Sequence, residues 1–162
     1  MTIIEYAGLP GILGDRFFSV LDSNGDGYID LREFIYVMFK IYYSTFDTQV
    51  KMVFEIYDFN KDGYISPEDV RIILGFIPML NLKNVKVRPQ EGQYSGGFED
   101  FGDRIKTQEE IAEMVEVCFG KNTKLNLEEF QKISEDKSSD MLLVVLNILR
   151  EKLPCSENFY NF

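Results

Sequence analysis

Apolar residues recur along this chain at helical spacing, in blocks separated by short polar stretches. Phe46, Val50, Val53, Phe54 and Tyr57 fall at i, i+4, i+7, i+8 and i+11, one face of an amphipathic helix. Residues 31–43 read as a second helix, dense in aromatic side chains. At Ser66, Pro67 and Asp69 a capping residue, a proline suited to the first helical position and an acid three residues after the cap predict a helix to about Ile77, which Pro78 helps to end. Thr107 with Glu110 and Asn126 with Glu129 are two further capping-box signals, the first opening a helix with Ile111, Met114, Val115 and Cys118 on one side. Residues 140–153 are apolar around much of a helical circumference and stop at Pro154, so that helix must bury itself. Over residues 81–106 the periodicity dissolves into Asn, Gly and charged positions, which reads as a long loop. The pattern predicts an all-α chain.

Two of the polar stretches repeat each other. Residues 22–33 and 58–69 share Asp, Asn, Asp, Gly, Tyr and Ile in the same order and begin 36 residues apart. A hard cation such as Ca²⁺ takes six to eight oxygen ligands, and a twelve-residue loop supplies them from positions 1, 3, 5, 7, 9 and 12. In the first loop those positions hold Asp22, Asn24, Asp26, Tyr28 (through its carbonyl), Asp30 (through water) and Glu33, with Gly27 at the sharp turn. The fit to D-x-[DN]-x-[DN]-G-x5-E is complete. The second loop offers Asp58, Asn60, Asp62, Tyr64 (carbonyl), Ser66 and Asp69 around Gly63. Asp69 is one methylene shorter than the Glu expected at position 12, so a bidentate grip requires the loop to contract, and a monodentate one moves the site toward the octahedral six of Mg²⁺. Two Ca²⁺ sites are expected, the first tighter and the second weaker or Mg²⁺-competent.

A third stretch, residues 118–129, keeps only the outline. Leu125 stands where Ile29 and Ile65 stand and Glu129 occupies position 12, but Cys118, Gly120 and Thr123 replace two ligands and the glycine, and Lys121 and Lys124 add positive charge. No metal is expected there.

Composition narrows the chemistry. The 162 residues are 45% hydrophobic, enough for a real core, and carry a net charge of −10, which disfavours nucleic acid. Without a single histidine, His-based triads and His-ligated zinc are excluded, and the two cysteines form no CxxC pair. The paired acids, seven of the 27 in the chain, are already explained as cation ligands, and no cleft signature accompanies the rest, so no enzyme is expected. The start lacks a signal-peptide pattern and Thr2 stands where myristoylation needs glycine. The longest apolar run, residues 141–149, is about half the roughly 20 residues of a membrane span. A cytoplasmic protein without membrane insertion is the expectation.

The runs from Leu9-Pro10 through Phe17-Phe18 to Asp22, then Tyr28 to Phe34, Phe54 to Asp58 and Lys61 to Ser66, resemble the middle of calcineurin B-like and neuronal calcium sensor proteins. The resemblance implies EF-hand helix-loop-helix repeats joined by short antiparallel β bridges between loops. It divides the chain into a calcium-binding hand at 9–44, a second with the variant position 12 at 45–80, an inserted loop at 81–106, a degenerate hand at 107–137 and an apolar C-terminal helix and tail at 138–162. The first good loop aligns with the family's second hand, and Ile4-Glu5-Tyr6 with the remnant of a first. The first good loop is thereby left without its expected partner: the chain is a fragment of a longer protein, or Ile29 pairs with Ile65, or an unpaired hand forms a dimer. The alignment favours pairing of Ile65 with Leu125.

For function the resemblance implies a calcium sensor or regulatory subunit that takes an amphipathic helix of a target protein into its apolar groove. The aromatic excess of residues 31–43 points the same way. Leu142, Leu143, Val145, Leu146, Leu149 and Leu153 of the last helix are expected to occupy the chain's own groove. A calcium buffer, or a structural module of a larger protein, is the alternative.

Overall fold

The computed structural model describes residue 9 and residues 11–75, 108–135 and 143–153. The expected loop at 81–106, the Thr107 cap, the helix stops at Pro78 and Pro154, and the first turn of the last helix lie outside the described residues. Within them the order is α1 (Gly11–Leu21), α2 (Leu31–Tyr43), α3 (Phe46–Tyr57), β1 (Tyr64–Ile65), α4 (Pro67–Gly75), α5 (Gln108–Phe119), β2 (Leu125–Asn126), α6 (Leu127–Glu135) and α7 (Val144–Lys152). No helix among these residues is long and apolar enough to cross a membrane.

Several helices start where side chains can satisfy the free backbone amides of a first turn. Asp30 caps α2 in a reciprocal box with Glu33, and Thr45 caps α3 by accepting from the Thr48 amide. Ser66 with Asp69 and Asn126 with Glu129 do the same for α4 and α6. The tight α2–α3 corner at Ser44 is held from inside: the buried Gln49 amide donates to the carbonyls of Ile41 (3.2 Å) and Ser44 (3.3 Å). Along α3 the expected face is buried at Val50, Val53, Phe54 and Tyr57, whereas Phe46, at the first position of the helix, stays 44% exposed.

The two strands form one antiparallel bridge that pairs Tyr64 with Asn126 and Ile65 with Leu125. The alignment favoured this arrangement; pairing of Ile29 with Ile65 does not occur. Ile29 instead packs, partly buried, against the core. Behind the bridge Phe130 of α6 is fully buried, edge-on to Phe54 at 5.7 Å and Tyr57 at 6.3 Å between ring centres. Helices α4 and α5 close the other side, and α1 packs along α3. All of these elements contribute to one hydrophobic cluster.

Helix α7 lies against α2 and α3, with Val144, Val145, Leu146, Ile148, Leu149 and Leu153 buried. Its polar anchors are specific. The Tyr42 hydroxyl donates to the carbonyls of Arg150 (2.7 Å) and Leu153 (2.6 Å), and the Arg150 guanidinium donates to the Ile41 carbonyl (3.1 Å) and Gln49 Oε1 (3.0 Å).

Burial ranks the positions energetically. Leu125→Ala, at a site with no exposed surface, is expected to cost about 2–5 kcal/mol of stability. Leu31→Ala, at a site 72% exposed, is expected to cost no more than about 0.5 kcal/mol. Urea unfolding of both variants in chelator measures the difference; equal costs would contradict the burial seen here.

Candidate metal centre

The first loop turns back on itself by hydrogen bonds from its own amides. Both oxygens of Asp22 face across it: Oδ1 accepts from the amides of Gly25 (2.8 Å) and Asp26 (3.1 Å), and Oδ2 from that of Gly27 (2.9 Å). Asn24 Oδ1 accepts from the Asp26 amide at 2.8 Å while its Nδ2 donates to Asp26 Oδ2 at 3.0 Å. The other Asp26 oxygen accepts from the Tyr28 amide at 2.8 Å. Gly25 and Gly27 adopt φ of +72° and +80° with open space where a Cβ would stand, so backbone conformation rather than crowding calls for glycine there.

Glu33 closes this loop. Its Oε1 accepts from the Ser23 amide (3.0 Å), the Ser23 hydroxyl (2.9 Å) and the Asn24 amide (3.3 Å), and its Oε2 from the Asp30 amide (3.1 Å). Those donors, the Asp30 amide foremost, hold the carboxyl below the usual carboxylate range against the opposing effect of desolvation. One side chain thus ties the second loop residue to the ninth. The reciprocal cap that Asp30 and Glu33 form for α2 is a role the ligand reading overlooked, although two acids three apart before an apolar run carry that signal.

The second loop repeats the start. Asp58, buried, accepts from the amides of Asp62 (3.2 Å) and Gly63 (3.0 Å), Asn60 bridges to Asp62, and Asp62 Oδ1 accepts from the Tyr64 amide (2.9 Å). It ends differently. Asp69 Oδ2 takes the amide (2.8 Å) and hydroxyl (2.7 Å) of Ser66, close to its own helix, where Glu33 spans back to Ser23 and Asn24. The missing methylene is visible as missing span. At the fourth position, where the first loop has Gly25, Lys61 takes φ +56°, a left-handed conformation costing an ordinary residue roughly 1–2 kcal/mol.

Two cations from neighbouring hands approach this second loop. Arg16 of α1 donates to the carbonyls of Glu55 (2.9 Å), Ile56 (3.1 Å), Asp58 (2.6 Å) and Phe59 (3.4 Å), with its guanidinium 5.1 Å from the Phe59 ring centre. Lys124, from the degenerate hand, donates to Asp62 Oδ2 at 2.9 Å. That ammonium is the main cause holding the Asp62 carboxyl below its ordinary range, and Asp62 in turn raises the lysine. In the same hand the Cys118 thiol is free and half-buried, its pKa raised by desolvation.

The residues suit a hard divalent ion by chemistry: carboxylates, amide oxygens, a hydroxyl and main-chain carbonyls, with no nitrogen or sulfur donor required. Among the described residues no three acidic side chains converge in one cluster. The loops alternate acids with Asn, Ser and backbone carbonyls, so acids alone do not crowd. Each carboxylate has about four lone-pair directions, and the amide bonds above leave some of them open.

The EF hand domain family matches residues 15–41 and a second EF-hand domain family matches residues 49–81, each spanning one of the two loops. The chain is 33% identical over 94 residues to the calcineurin B subunit of Yarrowia lipolytica, covering 52% of this chain and 51% of that protein. It is 29% identical over 119 residues to the calcineurin B subunit of Schizosaccharomyces pombe, covering 62% and 67%, and 37% identical over 59 residues to calaxin of Danio rerio, covering 36% and 28%. The matched part therefore spans about half the Yarrowia protein and less of calaxin. With two EF-hand domains, each folded around an oxygen-rich loop, this chain is a calcium-binding EF-hand protein related to calcineurin B subunits and calaxin.

Proposed function

We propose that both loops bind Ca²⁺, through Asp22, Asn24, Asp26, Tyr28, Asp30 and Glu33 in the first and Asp58, Asn60, Asp62, Tyr64, Ser66 and Asp69 in the second, and that the chain is an intracellular calcium sensor or regulatory subunit for an amphipathic partner helix. The ranking of the sites rests on the span of position 12. Glu33 already joins both ends of its loop, so a bound ion meets a carboxylate in place; Asp69 must be drawn in, and a monodentate contact there also admits Mg²⁺.

The observation that carries the partner reading is the seat of α7. An amphipathic helix packs on α2 and α3, its main-chain carbonyls accepting from the Tyr42 hydroxyl, a contact that the backbone of another helix can supply, while its own Arg150 reaches the Ile41 carbonyl and Gln49. The chain's charge of −10 favours a partner helix with basic residues flanking its apolar face. In this reading α7 holds the groove until Ca²⁺ and a partner displace it. The bland alternative, a buffer or strut, draws on the same helix, since α7 is continuous with the main core.

Two measurements separate these readings. In calorimetry, Glu33→Gln is expected to weaken the tighter Ca²⁺ site by roughly a hundredfold while Asp69→Asn affects only the weaker one; an intact high-affinity site in Glu33→Gln would sink the ranking. For the groove, Tyr42→Phe with Arg150→Ala removes the polar anchors of α7, and an apolar dye is expected to show a severalfold larger Ca²⁺-dependent signal than in the unaltered chain. No calcium response in either protein would leave the buffer or strut.

A further inference from the structure

Lys124 stands in a place that a degenerate hand does not require. It precedes the bridge residue Leu125, and the pairing of Leu125 with Ile65 sets its side chain across the second loop, with the ammonium 2.9 Å from Asp62 Oδ2 and 5.7 Å from the centre of the Tyr64 ring. The contact spans 62 residues of sequence and is made to the ligand at the fifth position of the loop. The other Asp62 oxygen already accepts from the Tyr64 amide, and Oδ2 also accepts from Asn60. An incoming divalent ion at this carboxylate therefore meets a resident monovalent one. The carboxylates of the first loop are held instead by its own amides and hydroxyl, so the arrangement distinguishes the two.

We propose that Lys124 is a tethered competitor of the divalent cation at the second loop, an affinity-setting residue supplied by the hand that has lost its own ligands. The inference rests on the reading that the second loop binds Ca²⁺. Like charges a few ångströms apart repel, and binding at Asp62 requires the ammonium to swing away or to remain as an unfavourable neighbour. The lysine side chain is 52% exposed, so it has water to move into and the cost is modest rather than prohibitive. The degenerate hand then acts on calcium without holding any: it contributes Leu125 to the bridge and Lys124 to the charge balance of its partner's loop.

The test uses the full chain with Glu33→Gln to silence the first loop, titrated with Ca²⁺ by calorimetry and with terbium by luminescence sensitised through tyrosine. Lys124→Met is expected to tighten the remaining site about fivefold, the size of an exposed ion pair lost together with a neighbouring repulsion. Lys124→Arg should keep the affinity of the parent, and Lys121→Met, at an exposed lysine of the same loop, should change it less than about twofold. Appearance of a site in Lys124→Met where the parent shows none would support the proposal in its strongest form. A second-loop site of equal or weaker affinity in Lys124→Met, in a protein with an unchanged circular dichroism spectrum, would overturn the proposal alone. No binding at the second loop with either lysine or methionine at position 124 would overturn both the proposal and the two-site reading beneath it.

Discussion

Much of this molecule depends on one short antiparallel bridge, Ile65 against Leu125. The paired residues are far apart in sequence, and fully burying the two side chains draws together hands that the chain keeps separate. Once the bridge forms, Phe130 comes to lie edge-on to Phe54 and Tyr57, α4 packs on α5, and the second loop acquires a neighbour. A bridge of two residue pairs is weak as a sheet. Its strength comes from the aromatic and aliphatic layer behind it, and its value is positional.

The division of labour among the loops follows from small differences in side-chain length and backbone freedom. Glu33 and Asp69 occupy equivalent positions, yet one reaches across to Ser23 and the other stops at Ser66. Gly25 and Lys61 are likewise equivalent, and only the glycine adopts its left-handed φ without a steric penalty. Both differences favour the first loop as the better organised before any ion arrives. The second loop has instead more company from outside itself, from Arg16 on one side and Lys124 on the other.

Local features were legible in the sequence because their causes are local. The helix over residues 31–43, the capping boxes at Asn126 and Ser66, and the oxygen-rich loops all follow from residues within a few positions of one another. The choice of Ile65 with Leu125 over Ile29 with Ile65 needed the family resemblance, since all three residues fit a strand equally well. What could not be read was chemistry between distant segments: Arg16 on the end of α3, Arg150 of α7 on Gln49, and Lys124 on Asp62. A charged residue on a solvated helix face or loop gives no sign of which remote carbonyl or carboxylate it will meet. Phe46 shows the opposite error, since helical periodicity assigns it to the buried face although it heads the helix and keeps a substantial part of its surface in water.

The grip of Arg16 on α3 bears on how a helix can run straight into a ligand loop. Helices commonly end on a glycine in the left-handed conformation, as α5 does at Gly120, because the last carbonyls otherwise lack partners. At the end of α3 a guanidinium from another helix takes the carbonyls of Glu55, Ile56, Asp58 and Phe59 instead. Helix α1 likewise runs directly into Asp22; at α3 the support for the last carbonyls comes from another helix, and Asp58, the residue that opens the loop, follows at once. The helix end and the first oxygen donor become neighbours with no intervening residue.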